Sequence, residues 1–249
     1  MSEYLDKVNL INQSKELQLI EYEKCRRDPW YWLQNWVFTL DSHDMDNPIK
    51  KFPDSDYIRV LTYIWAGPKV YPGYNKDLEH LLDDNERKDL FENWSSLMAV
   101  PKSRQMKVSW LFTALYLWNA QFCPGATIFF QSKKEEDADN LIKRSKFMYD
   151  HQPFFLKRYQ VNPGNRGEHT YCKMEFPEIN SVIKGIPEGG DQIRMHTATG
   201  IFADEMAFQP SAEDAFTAAK PTIDGGGRFT AVSTANPGFF HLLVDDKNK

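Results

Sequence analysis

Apolar residues recur at helical spacing over residues 3–27, where Leu5, Val8 and Ile11 are followed by Leu17 and Ile20 with Glu, Lys and Arg between them. The pattern predicts one amphipathic helix, stopped at Asp28-Pro29 because proline disfavours a helical conformation in the residue before it. The aromatic run WYWLQNWVF, Trp30 to Phe38, predicts a short helix whose rings pack in a core rather than stack on a ligand. A polar loop over 40–56, a buried helix over 57–65, a turn-rich link over 68–73 and a strongly charged, solvated helix over 76–94 follow.

From Ser95 the pattern changes to alternating strands and helices. A strand over 95–100, a tight loop, an apolar helix over 109–122, a strand over 126–131 and a helix over 134–149 make a βαβα opening, which implies parallel strands joined by helical crossovers. Residues 150–170, with Pro153, Pro163, Gly164 and Gly167, read as a long loop anchored by Phe154-Phe155. Residues 171–176 and 180–185 read as a hairpin. A glycine-containing loop then leads into GIFADE, Gly200 to Glu205, an apolar strand ending in two carboxylates. A helix over 211–219 and a last core strand, RFTAVSTAN, follow it. The expected architecture is α/β: a core over 95–249 with a mostly parallel sheet flanked by helices, and a helical segment over 1–94 packed on it.

Composition narrows the function. A chain of 249 residues suits one large α/β domain. A net charge of -5 supplies no broad basic surface, so any contact with nucleic acid is local or made by an assembly. The three cysteines, Cys25, Cys123 and Cys172, are far apart and form no CxxC pair, and the six histidines are scattered. Reduced thiols in a cytosolic protein are expected, with no disulfide framework and no zinc site. The acidic N-terminus and the interruption of the longest apolar stretch by Asn119 support neither export nor membrane insertion.

The chemistry concentrates in three places. The loop VPKSRQMKVSW, Val100 to Trp110, joins a strand to a helix, the layout that binds phosphate through backbone amides and a helix N-terminus. Laid on the pattern GxxxxGK[ST] with Ser109 last, Lys102 takes the first glycine, Lys107 the second and Val108 the usual lysine. Lys102 and Arg104 then supply the cation from the front of the loop, and Ser109 keeps the metal-binding hydroxyl. Lys107 is expected to take a glycine's left-handed conformation, at a strain of roughly 1 to 2 kcal/mol. The alternative is a basic loop that caps a helix. Second, Asp204 and Glu205 end an apolar strand, where ligands sit in open parallel sheets. There Asp204 would hold Mg²⁺ and Glu205 would orient and partly deprotonate the attacking water. By itself that dipeptide also suits a surface turn. Third, VSTANPG, 232–238, offers Ser233, Thr234 and Asn236 to sense a terminal phosphate, although Asn-Pro-Gly is also an ordinary strand exit.

In this order, and together with YWLQNWVF, IFFQSKKEEDADNL and GGGRFTAVSTANPGFF, these motifs resemble the ATPase domain of the phage large terminase, a DNA-packaging motor. The likeness covers most of the chain, and the spacing from Lys102 to Ser109 resembles the variant in which the phosphate lysine moves to the loop's front. It implies a P-loop NTPase fold of the ASCE type with ATP and Mg²⁺ as cofactors. ATP would be bound by Lys102, Ser103, Arg104, Gln105, Met106, Lys107, Val108 and Ser109, and the metal by Ser109 and Asp204. Glu205 would be the catalytic carboxylate, and Ser233, Thr234, Ala235 and Asn236 the coupling motif. The resemblance also implies an arginine finger, for which Arg194 is the first candidate and Arg158 and Arg166 are others. The implied partners are double-stranded DNA, a portal protein, a small terminase subunit and further copies of the chain in a ring, with a monomer in isolation. The implied location is the host cytoplasm. The chain departs from the family in having Lys107 where a glycine is usual and FPDSDYI where an adenine-reading Gln is common. It also stops near DDKNK, before a nuclease domain. Two other readings remain: a helicase-like ATPase, and a nucleotide-independent DNA-binding or assembly module with a degenerate loop.

Overall fold

The computed structural model describes residues 2–71, 82–92, 94–157, 170–194 and 197–245. By its internal packing the chain divides into two units, residues 1–94 with 147–158, and residues 95–146 with 159–249.

In the first unit the helix expected over 3–27 is broken. Helix α1 spans Ser2–Ile11, and α2, Lys15–Arg27, starts anew on Ser14, whose hydroxyl accepts the Glu16 amide at 3.1 Å. The apolar spacing runs on through the break, so periodicity hid it, while a serine hydroxyl suited to an N-cap marks it. Asp28 both ends α2 and caps α3, Pro29–Trp36, accepting the Tyr31 amide at 2.9 Å. Trp32, Leu33 and Trp36 have no exposed surface, so the aromatic run is core. Beneath it Glu21 accepts hydrogen bonds from Tyr31 Oη at 2.6 Å and Trp36 Nε1 at 2.9 Å, partners that a buried carboxylate requires. The expected polar loop contains a short antiparallel pair, β1 (Phe38–Leu40) and β2 (Ile49–Lys51), too brief for an alternating pattern to show. Helix α4, Asp56–Ala66, follows, and α5, Asp84–Glu92, is the described part of the charged helix expected over 76–94; residues 72–81 and 93 lie outside the described residues.

In the second unit β3 (Leu97–Pro101), α6 (Val108–Phe122), β4 (Thr127–Gln131) and α7 (Glu135–Asp150) form the expected opening. Strands β5 (Lys173–Phe176) and β6 (Ser181–Ile186) form the expected hairpin. A four-residue helix, α8 (Asp191–Arg194), precedes β7 (Gly200–Asp204). Helix α9 (Ala212–Asp224), β8 (Arg228–Ser233) and α10 (Phe239–Val244) complete it. Helix α9 outruns its expected end at 219 because Pro221 lies in its last turns and does not stop it. Strand β8 stops at Ser233, so Thr234, Ala235 and Asn236 leave the sheet.

The sheet order is β3-β8-β7-β4-β6-β5, with β5 antiparallel and the other pairings parallel. Both faces are covered, which is why these strands read as nearly continuous apolar runs. On one face Phe112 and Tyr116 of α6 meet Phe130 and Phe202, and the Tyr116 hydroxyl reaches Ile201 O at 2.9 Å and Thr230 Oγ1 at 3.0 Å. On the other, Phe129, Ile201, Ala203, Phe229 and Ala231 pack with Ala215, Phe216 and Ala219 of α9 and Phe240 of α10. This is a mostly parallel, helix-flanked sheet in which β8 lies between β3 and the acid-bearing strand β7. The register sets Pro101 beside Ser233 and Asp204 beside Val232, bringing the C-terminal ends of β3, β8 and β7 together.

Candidate active site

The loop between β3 and α6 is held at its start by the Lys102 amide, which donates to Ser233 O at 2.9 Å. It turns through two non-glycine residues in the left-handed region, Gln105 at φ 65° and Lys107 at φ 56°. Lys107 thus takes the glycine conformation its place in the pattern requires, and α6 begins at the next residue. Val108, at the position of the usual lysine, is 2% exposed and can offer a ligand no more than its backbone. Ser103, Arg104 and Gln105 are exposed, and Met106 and Lys107 partly so.

Ser109 lies in the first turn of α6, and its hydroxyl donates to Asp204 Oδ1 at 2.7 Å across 95 residues of sequence. Lys102 Nζ donates to Glu205 Oε1 at 2.6 Å, with the lysine side chain only 9% exposed. The second carboxylate oxygen of Glu205 accepts from Ser233 Oγ at 3.4 Å, from the Thr234 amide at 3.3 Å and from Thr234 Oγ1 at 3.4 Å. Glu205 itself sits at φ 51°, ψ 43°, a left-handed residue at the exit of β7 that turns its side chain away from the strand direction. Asn236 Nδ2 donates to Ala207 O at 2.9 Å, and Ser233 Oγ accepts the Ala207 amide at 3.1 Å, so the segment after β8 is tied to the turn after Glu205. Ala235 is exposed.

The two acids differ in environment. Burial pushes the Asp204 carboxyl above the usual carboxylate range, against the Ser109 hydrogen bond and the charges of Arg144 and Lys102, which favour its ionised form. For Glu205 burial acts in the same upward direction. The hydrogen bond and charge of Lys102, aided by Thr234, outweigh it and leave the carboxyl below its ordinary value. Asp204 and Glu205 share a cleft of about 410 Å³ with Arg104, Thr234, Ser132, Lys133, Asp137, Asn140 and Arg144. The size is that of a small-ligand site.

Arg194 is not among these groups. It is bound to Asp214 and, at 3.2 Å, to Asp191, and it faces a separate hollow with Ile193, Thr197 and Thr222. The hydrogen bond it donates to Asp214 raises its basicity further. Arg158 and Arg166 lie outside the described residues. Two contributors escaped the sequence reading. Gln209 Nε2 donates to Asp204 O at 2.9 Å and steadies the acid turn. Arg144 enters the cleft from α7, where alternating charges gave no sign that one position faced inward.

A hydroxyl and a carboxylate 2.7 Å apart beside a polar cleft are hard oxygen donors of the kind Mg²⁺ accepts, since that ion keeps several waters and takes one or two protein carboxylates. Among the described residues no group of three or more His, Cys, Asp and Glu gathers to hold a metal by itself.

No family model and no curated protein matches this chain. Among solved structures, the Thermus phage P74-26 large terminase ATPase domain is similar at 12% identity and TM-score 0.47, over 66% of this chain and 70% of that one. The fold is similar to that of phage large terminase ATPase domains. The large terminase of bacteriophage HK97 aligns at 15% identity and TM-score 0.49 over 66% of this chain, which spans only 36% of that longer protein. A large terminase from the thermophilic bacteriophage D6E, solved in complex with ADP, aligns at 17% identity and TM-score 0.40, over 61% of this chain and 38% of that one.

Proposed function

We propose that this chain is an ATPase motor domain of a viral large terminase, hydrolysing ATP with Mg²⁺ to drive double-stranded DNA into a procapsid. The observation that carries this reading is that, at the shared end of β3, β8 and β7, Asp204, Glu205 and Thr234 line one cleft while Ser109 and Lys102 are hydrogen-bonded to the two acids. Phosphoryl transfer needs positioning and charge compensation more than covalent chemistry, and these side chains supply both.

In this reading the amides at the start of α6 and the Lys102 ammonium bind the phosphates, while Ser109 and Asp204 hold Mg²⁺. When bound, the ion neutralises charge on the phosphate oxygens. Glu205 orients the attacking water and takes its proton, which requires that Lys102 leave Glu205 for the incoming phosphates. Thr234 senses that exchange, because its amide and hydroxyl both bind the same carboxylate oxygen. Ser233 and Asn236 carry the change onward through their contacts with Ala207. Arg194, which lines a separate hollow and not its own cleft, would act on a neighbouring subunit's site. The partners of such a motor are DNA, a portal, a small terminase subunit and a ring of copies, with the isolated domain largely monomeric. It would work in the host cytoplasm at the procapsid, and no helix among the described residues is long and apolar enough to cross a membrane.

One observation favours a second reading. Lys102 and Glu205 are paired directly with each other, an arrangement that also suits a nucleotide-independent assembly or DNA-binding module. The two readings part on one measurement: purified protein with ATP and Mg²⁺, alone and then with portal or with conditions that assemble subunits. Turnover that rises on assembly supports the motor. Absence of nucleotide binding by calorimetry in the folded protein overturns it.

A further inference from the structure

Arg144 is a cation that the scheme above does not use. It stands on α7 one turn beyond Asn140 and two beyond Asp137, and all three line the cleft that holds Asp204 and Glu205. Its guanidinium lies over the Trp110 ring, 5.5 Å from the centroid, and Trp110 is in the first turn of α6, immediately after Ser109. A guanidinium held over an indole by a cation–π contact is restricted in position, while that contact occupies none of its N–H donors. Among the described residues those N–H groups have no hydrogen-bond or ion-pair partner. Asp204 feels its charge but is already engaged by Ser109. Burial lowers the basicity of the guanidinium, yet an arginine stays charged under any condition in which a protein is folded. A partly buried, permanently charged fork of donors with no acceptor among the described residues is a group prepared for an anion.

The anion's position follows from the neighbours. Phosphates on the amides at the start of α6 would rest at the helix turn that carries Trp110, and the acids that would hold metal and water, Asp204 and Glu205, stand at the C-terminal end of β7. Arg144 faces the acids, so it reaches the outermost part of a polyphosphate chain and not the part lying in the loop.

We propose that Arg144 binds the terminal phosphate of a nucleoside triphosphate within its own subunit, with Trp110 as its platform, and thereby distinguishes triphosphate from diphosphate. This rests on the nucleotide reading of the cleft. It makes Arg144 a cis counterpart to any arginine contributed by a neighbour, and places it on a different element from both Arg104 and Arg194.

The test compares the affinity of wild type, Arg144→Ala and Arg144→Lys for the β,γ-imido analogue of ATP and for ADP, each with Mg²⁺, by calorimetry, with thermal melting of the unliganded proteins as a fold check. The expected result is that Arg144→Ala weakens the analogue by about tenfold to a hundredfold and ADP by less than about twofold, the loss of a charge-assisted fork to phosphate. Arg144→Lys recovers part of the analogue's affinity, since a point charge replaces the fork. Equal weakening of both ligands, or no weakening of either, overturns the proposal, because Arg144 then acts on the fold, on the inner phosphates or on neither. If Arg144→Ala melts below the binding temperature, the lysine variant decides alone: it must lose affinity for the analogue and keep it for ADP. Wild type that binds neither nucleotide refutes the nucleotide reading itself, an outcome distinct from a wild type that binds both while Arg144→Ala leaves their ratio unchanged.

Discussion

Lys102 and Glu205, 103 residues apart, close on each other at 2.6 Å, so that the cation proposed for phosphate and the base proposed for water neutralise one another. Neither group can act while the pair is shut, and triphosphate is the natural competitor for the lysine.

Glu205→Gln is therefore expected to do two things. Hydrolysis should fall by about 10² to 10⁴, because an amide holds a water but cannot accept its proton. Affinity for ATP should hold or rise, because Lys102 loses its competing partner. Stopped-flow turnover and calorimetric binding measured on the same preparation check this; parallel loss of both would give Glu205 a structural role.

Lys102→Ala should cost more nucleotide affinity than Lys107→Ala, because Lys102 is buried toward the acids while Lys107 Nζ lies over the Trp110 ring, 5.8 Å from its centroid. Lys107→Gly should raise unfolding stability slightly. Relief of a left-handed residue, roughly 1 to 2 kcal/mol, exceeds the added chain entropy of glycine, roughly 0.5 to 1 kcal/mol. Urea titration measures the stability difference, and the opposite ranking of the two alanine variants would displace Lys102 from its role.

Gly200→Ala tests the core under the site. An added Cβ would lie 2.5 Å from Tyr116 Cε1, and Tyr116 cannot retreat without losing its bonds to Ile201 and Thr230. Destabilisation of roughly 1 to 3 kcal/mol is expected by chemical denaturation. Tyr116→Phe should cost about 1 kcal/mol, with Thr230 left to find another partner. A neutral Gly200→Ala would mean that the aromatic layer yields more easily than its packing suggests.

Arg194 is anchored to Asp214 and Asp191 outside its own cleft, so its removal should leave single-subunit nucleotide binding unchanged. Under assembling conditions Arg194→Ala should reduce turnover by about 10³ to 10⁵. Mixing it with Glu205→Gln should restore activity at those interfaces where an intact arginine meets an intact glutamate. Failure of mixing, where wild-type subunits stimulate one another, would confine Arg194 to its own subunit.

Much of the sheet is legible in the sequence, because parallel strands covered on both faces announce themselves as apolar runs, as ATIFFQ and GIFA do. The left-handed Lys107 was legible too, since the pattern asks for a glycine there and the chain offers none. The break at Ser14 was hidden because helical periodicity continues across it. Arg144 was hidden for a different reason: on a helix rich in Glu, Asp and Lys, one inward charge differs from its neighbours only through Trp110, 34 positions earlier and on another helix. The attachment of Arg194 to Asp214, 20 residues later, likewise exists only once α8 and α9 are packed.

Strand β8 lies between β3 and β7, and its residues from Phe229 to Ser233 are buried. Amide hydrogens on such a central strand exchange with solvent only through the largest openings of a fold. The groups that meet at the cleft are hung from this least-opening part of the sheet, so heating should not yield a folded molecule with a dissolved centre. Inactivation and global melting should coincide in temperature, and deuterium should reach Val232 last.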